Sequence, residues 1–418
     1  MEIKPGYKLT EIGVIPEDWE IVPLSSCCDV RDGTHESPKY HSNGIPLVTS
    51  KNIVDGKLDL KDVSFISELD ADMIDARSKV DTGDLLLSMI GTVGNVTKVD
   101  VADRFCIKNV ALIKPRQVTG DYLLHLLRSD YFSMTIQSKL AGGIQKFISL
   151  GMLRSLYISI MSDHEQNKIS ETLSDIDLLI TTLEKLIEKK KLIKQGVMQE
   201  LLTGKRRLPG FRREWETKRY GDIFQFISSA NYTREDLTDT GSIRYIHYGD
   251  IHTKFENYVD LSDASIPTIQ DCKLKNYPLL ETGDLIMVDA SEDYSGVGKS
   301  VEAINPNGCK AISGLHTILL RDTSKTFADG YRAFIHSIPS VKAQLDFYAT
   351  GMKVYSISKG NLAIIEIPVP PKNEQEAIVN ALSSFVDEIK ALEVRLAKSI
   401  LLKKAMMQEL LTGRIRLI

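Results

Sequence analysis

Tryptophan occurs twice in 418 residues and cysteine five times, and neither is spaced for metal chemistry. Cys27 and Cys28 are adjacent, Cys106, Cys272 and Cys309 stand alone, and no Cys-x-x-Cys occurs. A zinc site or disulfide framework is therefore not expected, and the thiols read as reduced, mostly small core residues. The opening segment MEIKPGYKLTEIG lacks the apolar region of a signal peptide, and no run approaches the ~18 apolar residues of a membrane span. Both absences point to a cytoplasmic chain. An excess of positive charge is missing too. The 52 Lys and Arg stand against 56 Asp and Glu, a formal net charge of −4, unlike a chain that binds polyanions as a whole.

Catalytic signatures are equally scarce. Gly296-Val297-Gly298-Lys299-Ser300 looks like the end of a phosphate-binding loop, but Asp293 stands where that motif requires its first Gly. A related segment, Gly91-Thr92-Val93-Gly94-Asn95, has no Lys-Ser, so a shared tight turn explains both. His247 and His252 are five apart on a strand-like segment without a third ligand, which disfavours zinc. The Asn-Pro-Pro-Tyr or Asp-Pro-Pro-Tyr motif of adenine methyltransferases does not occur, and no nuclease or helicase set is evident. No catalytic residue, metal or cofactor is expected.

What the chain does have is a long repeat. Residues 198–204 and 407–413 both read MQELLTG, 209 positions apart. At the same offset His164-Glu165-Gln166 faces Asn373-Glu374-Gln375, while Thr82-Gly83-Asp84-Leu85 faces Thr282-Gly283-Asp284-Leu285 at 200. Trp19 and Trp215 head the two copies. A period of this size means two copies of a domain-sized unit rather than a solenoid. The offset is constant toward the end of each copy and drifts before it, so one part holds its register and the other diverges.

The constant part reads as a helix. Ile169, Leu173, Ile176, Ile180, Leu183 and Ile187 alternate steps of four and three, and the matched positions are Ile378, Leu382, Phe385, Ile389, Leu392 and Leu396. This is a coiled-coil seam of period 3.5, on helices of roughly 40 residues and about 60 Å. Gly204 and Gly413 stand where C-terminal caps are expected. The two helices are expected to pair antiparallel about a pseudo-two-fold axis; oligomerisation through isolated amphipathic helices is the alternative. The linker KRRLPGFRREW follows the first MQELLTG, the chain's end matches the linker's start, and its opening GVIPEDWEIVPL matches the remainder. The organisation is thus circular, with neighbouring termini. Between Lys185 and Arg213, ten Lys or Arg face only Glu188 and Glu200, either a solvated helix face or a footprint for phosphates or an acidic partner.

The divergent part alternates short β-branched runs with Gly-, Asn- and Asp-rich turns and one helical stretch per copy (121–141 and 330–349). The fold class is α+β. The expected boundaries are 1–158 and 208–366 for two globular modules, with 159–207 and 367–418 for the helical segments. Polar loops at corresponding places carry side chains that pair with base edges and phosphates. In the first module the candidates are Arg31, Thr34, His35, Lys39, Tyr40, Ser50, Lys51, Asn52, Gln145 and Lys146. In the second they are Ser229, Asn231, Tyr232, Arg234, Tyr248, Asp250, His252, Lys353 and Tyr355.

Taken together, GYKLTEIGVIPEDWE, DGTHESPKY, the paired TGDLL and TGDLI turns, and the helix ends KQGVMQELLTG and KKAMMQELLTG resemble the specificity subunit of type I restriction–modification systems over essentially the full length. The resemblance implies that the modules are target recognition domains, each reading one half of a split, asymmetric DNA site through the major groove. It implies that the helices set the half-site spacing and dock two methyltransferase subunits, with restriction and translocase subunits joining the full complex. Half-sites about one helical turn apart, roughly 34–36 Å, are expected on that arrangement. The rival reading is a duplicated coiled-coil scaffold that binds polypeptide.

Overall fold

A computed structural model describes residues 3–54, 56–140, 147–270 and 275–418. The chain divides into two units, Met1–Lys185 with Glu393–Ile418, and Leu186–Leu392. None of the described helices is long and apolar enough to cross a membrane.

In the first unit a four-stranded antiparallel sheet runs in the order Val96–Lys98, Leu85–Ser88, Val110–Pro115, Cys28–Asp32. Its central strands are largely apolar because both faces are covered, with polar Ser88 and Lys114 toward their ends. Leu85, Leu87, Ala111 and Ile113 join the main core with Trp19, Tyr122 and Leu123, while Leu86, Val110 and Leu112 pack on Val48, Ile53 and Phe105. A second sheet places Ile45–Val48 between Cys106–Ile107, parallel, and Ser64–Ile66, antiparallel. The helical stretch is two helices, Gly120–Leu127 and Asp130–Leu140, rather than one.

The second unit repeats the plan with additions. Phe224–Ser228, Thr317–Asp322, Leu285–Val288 and Ser300–Ile304 form the matching sheet, extended by a fifth strand, Tyr258–Asp260, in parallel. Ile243–Ile246 again runs parallel to its neighbour, Lys310–Ser313. The helical stretch is split here too, into a 3-10 segment Arg332–Ser337 and the helix Pro339–Tyr348, with Pro at the first turn of the latter.

The shared turns behave alike. Gly83 and Gly283 take φ of 94° and 86°, a left-handed conformation that suits a residue without Cβ. Beside them Lys114 pairs with Asp84 at 2.5 Å and Arg321 with Asp284 at 2.6 Å. The segment around Gly298 is a hairpin turn between Leu285–Val288 and Ser300–Ile304, closed by Gly298 N–H donating to the Val288 carbonyl at 3.0 Å. Gly94 N–H donates to the Ser88 carbonyl at 2.9 Å across a shorter loop. Both segments share a four-residue turn, Asn95 N–H to the Thr92 carbonyl at 3.4 Å and Lys299 N–H to the Gly296 carbonyl at 3.3 Å, with the glycine at positive φ in each.

The long helices are Asp163–Leu202 and Lys372–Leu410, followed by Gly204 and Gly413, each at φ 69°. Within each unit they run antiparallel. In the first, Ile169 and Leu173 share a core with Leu410 and Leu411, and Lys403 meets Asp177 at 2.6 Å. In the second, Leu201 and Leu202 share a core with Ile378 and Leu382, and Lys190 meets Glu388 at 2.7 Å. The start of each seam is therefore packed into a module core and not only along the partner helix. Ile176, Leu183, Ile187 and Ile389 are buried as well, while Ile180, Phe385, Leu392 and Leu396 are half-buried.

One constellation occurs in both units at an offset of 209. Trp19 Nε1–H donates to Glu165 at 3.2 Å, and Arg416 Nη2 donates to the same carboxylate at 2.8 Å. Trp215 donates to Glu374 at 3.0 Å, and Arg207 Nη2 at 2.6 Å. Each guanidinium also lies over its indole, at 5.6 and 5.3 Å from the ring centroid. The equivalent of the linker's Arg207 is thus supplied by the last residues of the chain, and Tyr7 Oη–H bonding the Gly413 carbonyl at 2.9 Å brings the terminal segments together as expected.

Candidate nucleic-acid interface

In the first module the loops converge on Asn109. It sits between Cys106–Ile107 and Val110–Pro115 at φ 55°, a left-handed conformation that Asn tolerates better than most residues. Its Oδ1 accepts from His35 Nδ1 at 2.8 Å, and its carbonyl accepts from Ser50 Oγ–H at 3.3 Å. Thr34 forms a parallel bridge with Lys108, whose ammonium reaches Ser37 Oγ at 2.5 Å and Tyr40 Oη at 3.5 Å. Gly33 makes the approach possible, since a Cβ there would lie 2.2 Å from the Ile107 carbonyl oxygen.

The charges in this cluster are mutually supporting. His35 Nε2 lies 2.9 Å from Asp32, and Arg77 binds the other oxygen of that carboxylate. Asn109 and then Asp32 accept from both ring nitrogens and so push the His35 pKa above its ordinary value. Burial works to raise the Asp32 pKa, but His35 and Arg77 outweigh it and hold the carboxyl below the usual range. Arg31 belongs to the strand Cys28–Asp32 rather than a loop, and is engaged by Asp29 at 2.7 Å and the Arg77 carbonyl at 3.0 Å.

Other candidates fall elsewhere. Lys51 is exposed and pairs with Asp62 at 3.0 Å, and Lys39 is exposed beside Tyr40. Asn52 is buried, its Oδ1 accepting from Thr49 N–H and its Nδ2 donating to the Asp59 and Asp62 carbonyls, so it shapes its turn and presents nothing outward. Gln145 and Lys146 lie outside the described residues.

His316 takes the place of Asn109 in the second module, directly before Thr317–Asp322 and at φ 56°. Its ring stands edge-on to Tyr248 at 5.4 Å, and Tyr248 in turn meets His252 at 6.2 Å. Tyr248, Asp250 and His252 lie on the short helix Tyr248–Thr253 rather than a loop, with the His247 ring capping its start. Asp250 is buried against Lys254 at 3.1 Å and Arg234 at 3.8 Å. Ser229 Oγ–H donates to the Thr317 carbonyl at 2.7 Å, next to His316. Tyr355, in the strand Tyr355–Ser356, meets Tyr294 edge-on at 5.0 Å, and Lys353 is exposed before it.

Two placements again differ from a free loop. Tyr232 is buried among Tyr245 and Tyr277, its hydroxyl accepting from Lys275 N–H at 2.9 Å. Asn231 is exposed and accepts from Tyr277 Oη–H at 3.0 Å.

Residues that the loop reading missed are Lys108, Asn109 and Arg77 in the first module and Asp289, His316, Tyr294 and Lys359 in the second. Asp289 lies 3.9 Å from His316, and burial raises its pKa. Its buried Oδ1 and the buried Nε2 of His252 have no hydrogen-bond partner, an arrangement suited to a polar ligand arriving at this face. The sequence held a signal for two of them: Asn109 and His316 stand immediately before matched apolar runs.

A family model for the type I restriction modification DNA specificity domain matches residues 16–195 and again 212–401. The chain is 27% identical to the putative type I restriction enzyme MjaX specificity subunit of Methanocaldococcus jannaschii, across 98% of this chain and 97% of that protein. It is 20% identical to the StySPI specificity subunit of Salmonella potsdam, across 97% and 90%. Among solved structures, the HsdS subunit from Thermoanaerobacter tengcongensis superposes with a TM-score of 0.51 at 17% identity, over 96% of this chain and 98% of that one. The S subunit of the type I system of M. genitalium gives 0.54 at 14%, over 97% and 98%. At such identities these structures establish the fold. The two family matches take in most of the sequence, and the chain belongs to the type I restriction modification DNA specificity domain family, with two copies of that domain.

Proposed function

We propose that the chain reads an asymmetric, bipartite DNA site, one half with each module, with residues 1–158 and 208–366 acting as target recognition domains and 159–207 and 367–418 as spacer segments. The supporting observation is the paired gathering at Asn109 and His316. The same backbone position in each module organises polar side chains of the same placement and different kind. Matched position fits a common way of docking on the duplex, and differing side-chain types fit different bases in the major groove.

Two methyltransferase subunits dock on the paired helices, and restriction and translocase subunits join them. Support comes from exposed apolar pairs at matched positions, Leu192 with Ile193 and Leu401 with Leu402. Such side chains on a solvated helix face fit a protein contact. With a net charge of −4, affinity for DNA depends on those partners closing around the duplex.

The test is to express the chain with its modification subunits in a host lacking methylated adenines and to sequence the genome for methylation. A two-part motif with an unread gap is the expected result. Methylation without a bipartite motif, or none, sinks the reading.

A further inference from the structure

Exposed apolar side chains of the second module collect at one corner. Met352 is 96% exposed, Phe347 79%, Val354 51% and Tyr294 44%. They are joined locally: the Tyr294 hydroxyl bonds the Asp346 carbonyl next to Phe347, and the Tyr294 ring meets Tyr355 at 5.0 Å. Met352 sits at the tip of a loop that is closed at its base by Thr350 and Ser356, each N–H donating to the other's carbonyl at 2.9 Å. Ala290–Ser291 pairs with Tyr355–Ser356, and Ile357 N–H donates to the Asp289 carbonyl at 2.9 Å. The loop is therefore fastened to the strand segment that carries Asp289, 3.9 Å from His316.

An almost fully exposed thioether on a braced loop does nothing for the module's own core. It needs an occupant, and three features favour duplex DNA. The loop is continuous with the polar cluster of the proposed reading face. Lys353 follows Met352 directly, and Lys359, whose ammonium reaches Ser228 Oγ at 3.3 Å, lies at the end of the same segment, so cations flank the apolar tip. A long unbranched side chain is also among those that proteins insert between base pairs, where it replaces stacking lost on opening the step.

We propose that Met352 is a wedge that enters a base step at the second half-site, with Phe347, Tyr294 and Val354 covering the opened edge and Lys353 on the adjacent phosphate. It rests on the reading proposed above and adds a mode of DNA distortion to it. Specificity at that step then comes partly from how easily the step unstacks, and not only from hydrogen bonds.

The test uses the full chain with its modification subunits on duplexes that carry the mapped site, with 2-aminopurine placed at each position of the second half-site in turn. The wild-type complex is expected to raise fluorescence at the wedge step, in addition to any rise at the base presented to the methyltransferase. Met352→Ala should abolish only the wedge signal and weaken binding by roughly tenfold, because the opened step loses the side chain that fills it. Met352→Leu, which keeps the apolar reach, should retain the signal. Identical scans for wild type and Met352→Ala overturn the wedge while leaving the reading intact. Loss of the modification subunits from Met352→Ala on gel filtration, with an unchanged scan, assigns the corner to a protein contact instead. Absence of site-specific binding by the wild type overturns both.

Discussion

The two carboxylates Glu165 and Glu374 show what single residues contribute. Each is buried, accepts from a tryptophan N–H, and is neutralised by an arginine distant in sequence. Removing the arginine leaves a buried, uncompensated charge, which costs about 3 kcal/mol or more. Arg207→Met and Arg416→Met should each lower unfolding stability by about that amount, read from denaturant midpoints; a change under 1 kcal/mol would show the pair is not coupled to folding. His125 makes a different prediction. Burial drives its pKa down to about 4, and its Nδ1 has no hydrogen-bond partner. A histidine with a depressed folded pKa contributes stability that is complete above its unfolded value of 6.5 and is lost as pH falls toward about 4. Phe334 occupies the matched position in the second unit. His125→Phe should therefore flatten the loss of stability between pH 6.5 and 4, measured by unfolding at a series of pH values. An unchanged slope would refute the assignment.

At the level of elements, the long helices have a fixed period, fixed length and matched ends. Their seams begin in module cores and continue along a partner helix, so a helix cannot slide without unpacking Ile169 and Leu173 or Ile378 and Leu382. Inserting four residues in each helix, on corresponding sides, lengthens it by slightly more than one turn, about 6 Å. Against a rise of about 3.4 Å per base pair, the unread gap in the methylated motif should grow by roughly one to two base pairs. A motif with an unaltered gap would eliminate the helices as a ruler.

For the whole molecule, the central expectation is independence of the two readings. Asn109→Ala withdraws the side-chain partner of His35 while keeping the backbone carbonyl that holds Ser50, and should relax the motif in one half only. His316→Ala should relax the other half, because its contacts are to Tyr248 and Asp289 of the second module. Each loss should be about 1–3 kcal/mol of discrimination at the affected base, visible as added degeneracy in sequenced methylation sites. If either change altered the motif in both halves, the modular reading would fail.

How much of this was legible beforehand depended on whether a feature is periodic. Duplication, helix seams, glycine caps and strand runs are local patterns with fixed spacing, set by backbone geometry, and the sequence alone determined them. It also indicated which loops hold polar residues, since a Gly, Asn or Ser cluster between apolar runs has few other uses. It did not determine which of those side chains face outward. Asn52 and Tyr232 have the composition of a reading surface, yet one is consumed by backbone carbonyls and the other by an aromatic cluster. Asn109 and His316 stand before matched apolar runs, but the side chains they gather came together only when strands distant in sequence closed around them. Side-chain direction and solvent access are properties of the assembled neighbours, and only the tertiary structure could decide them.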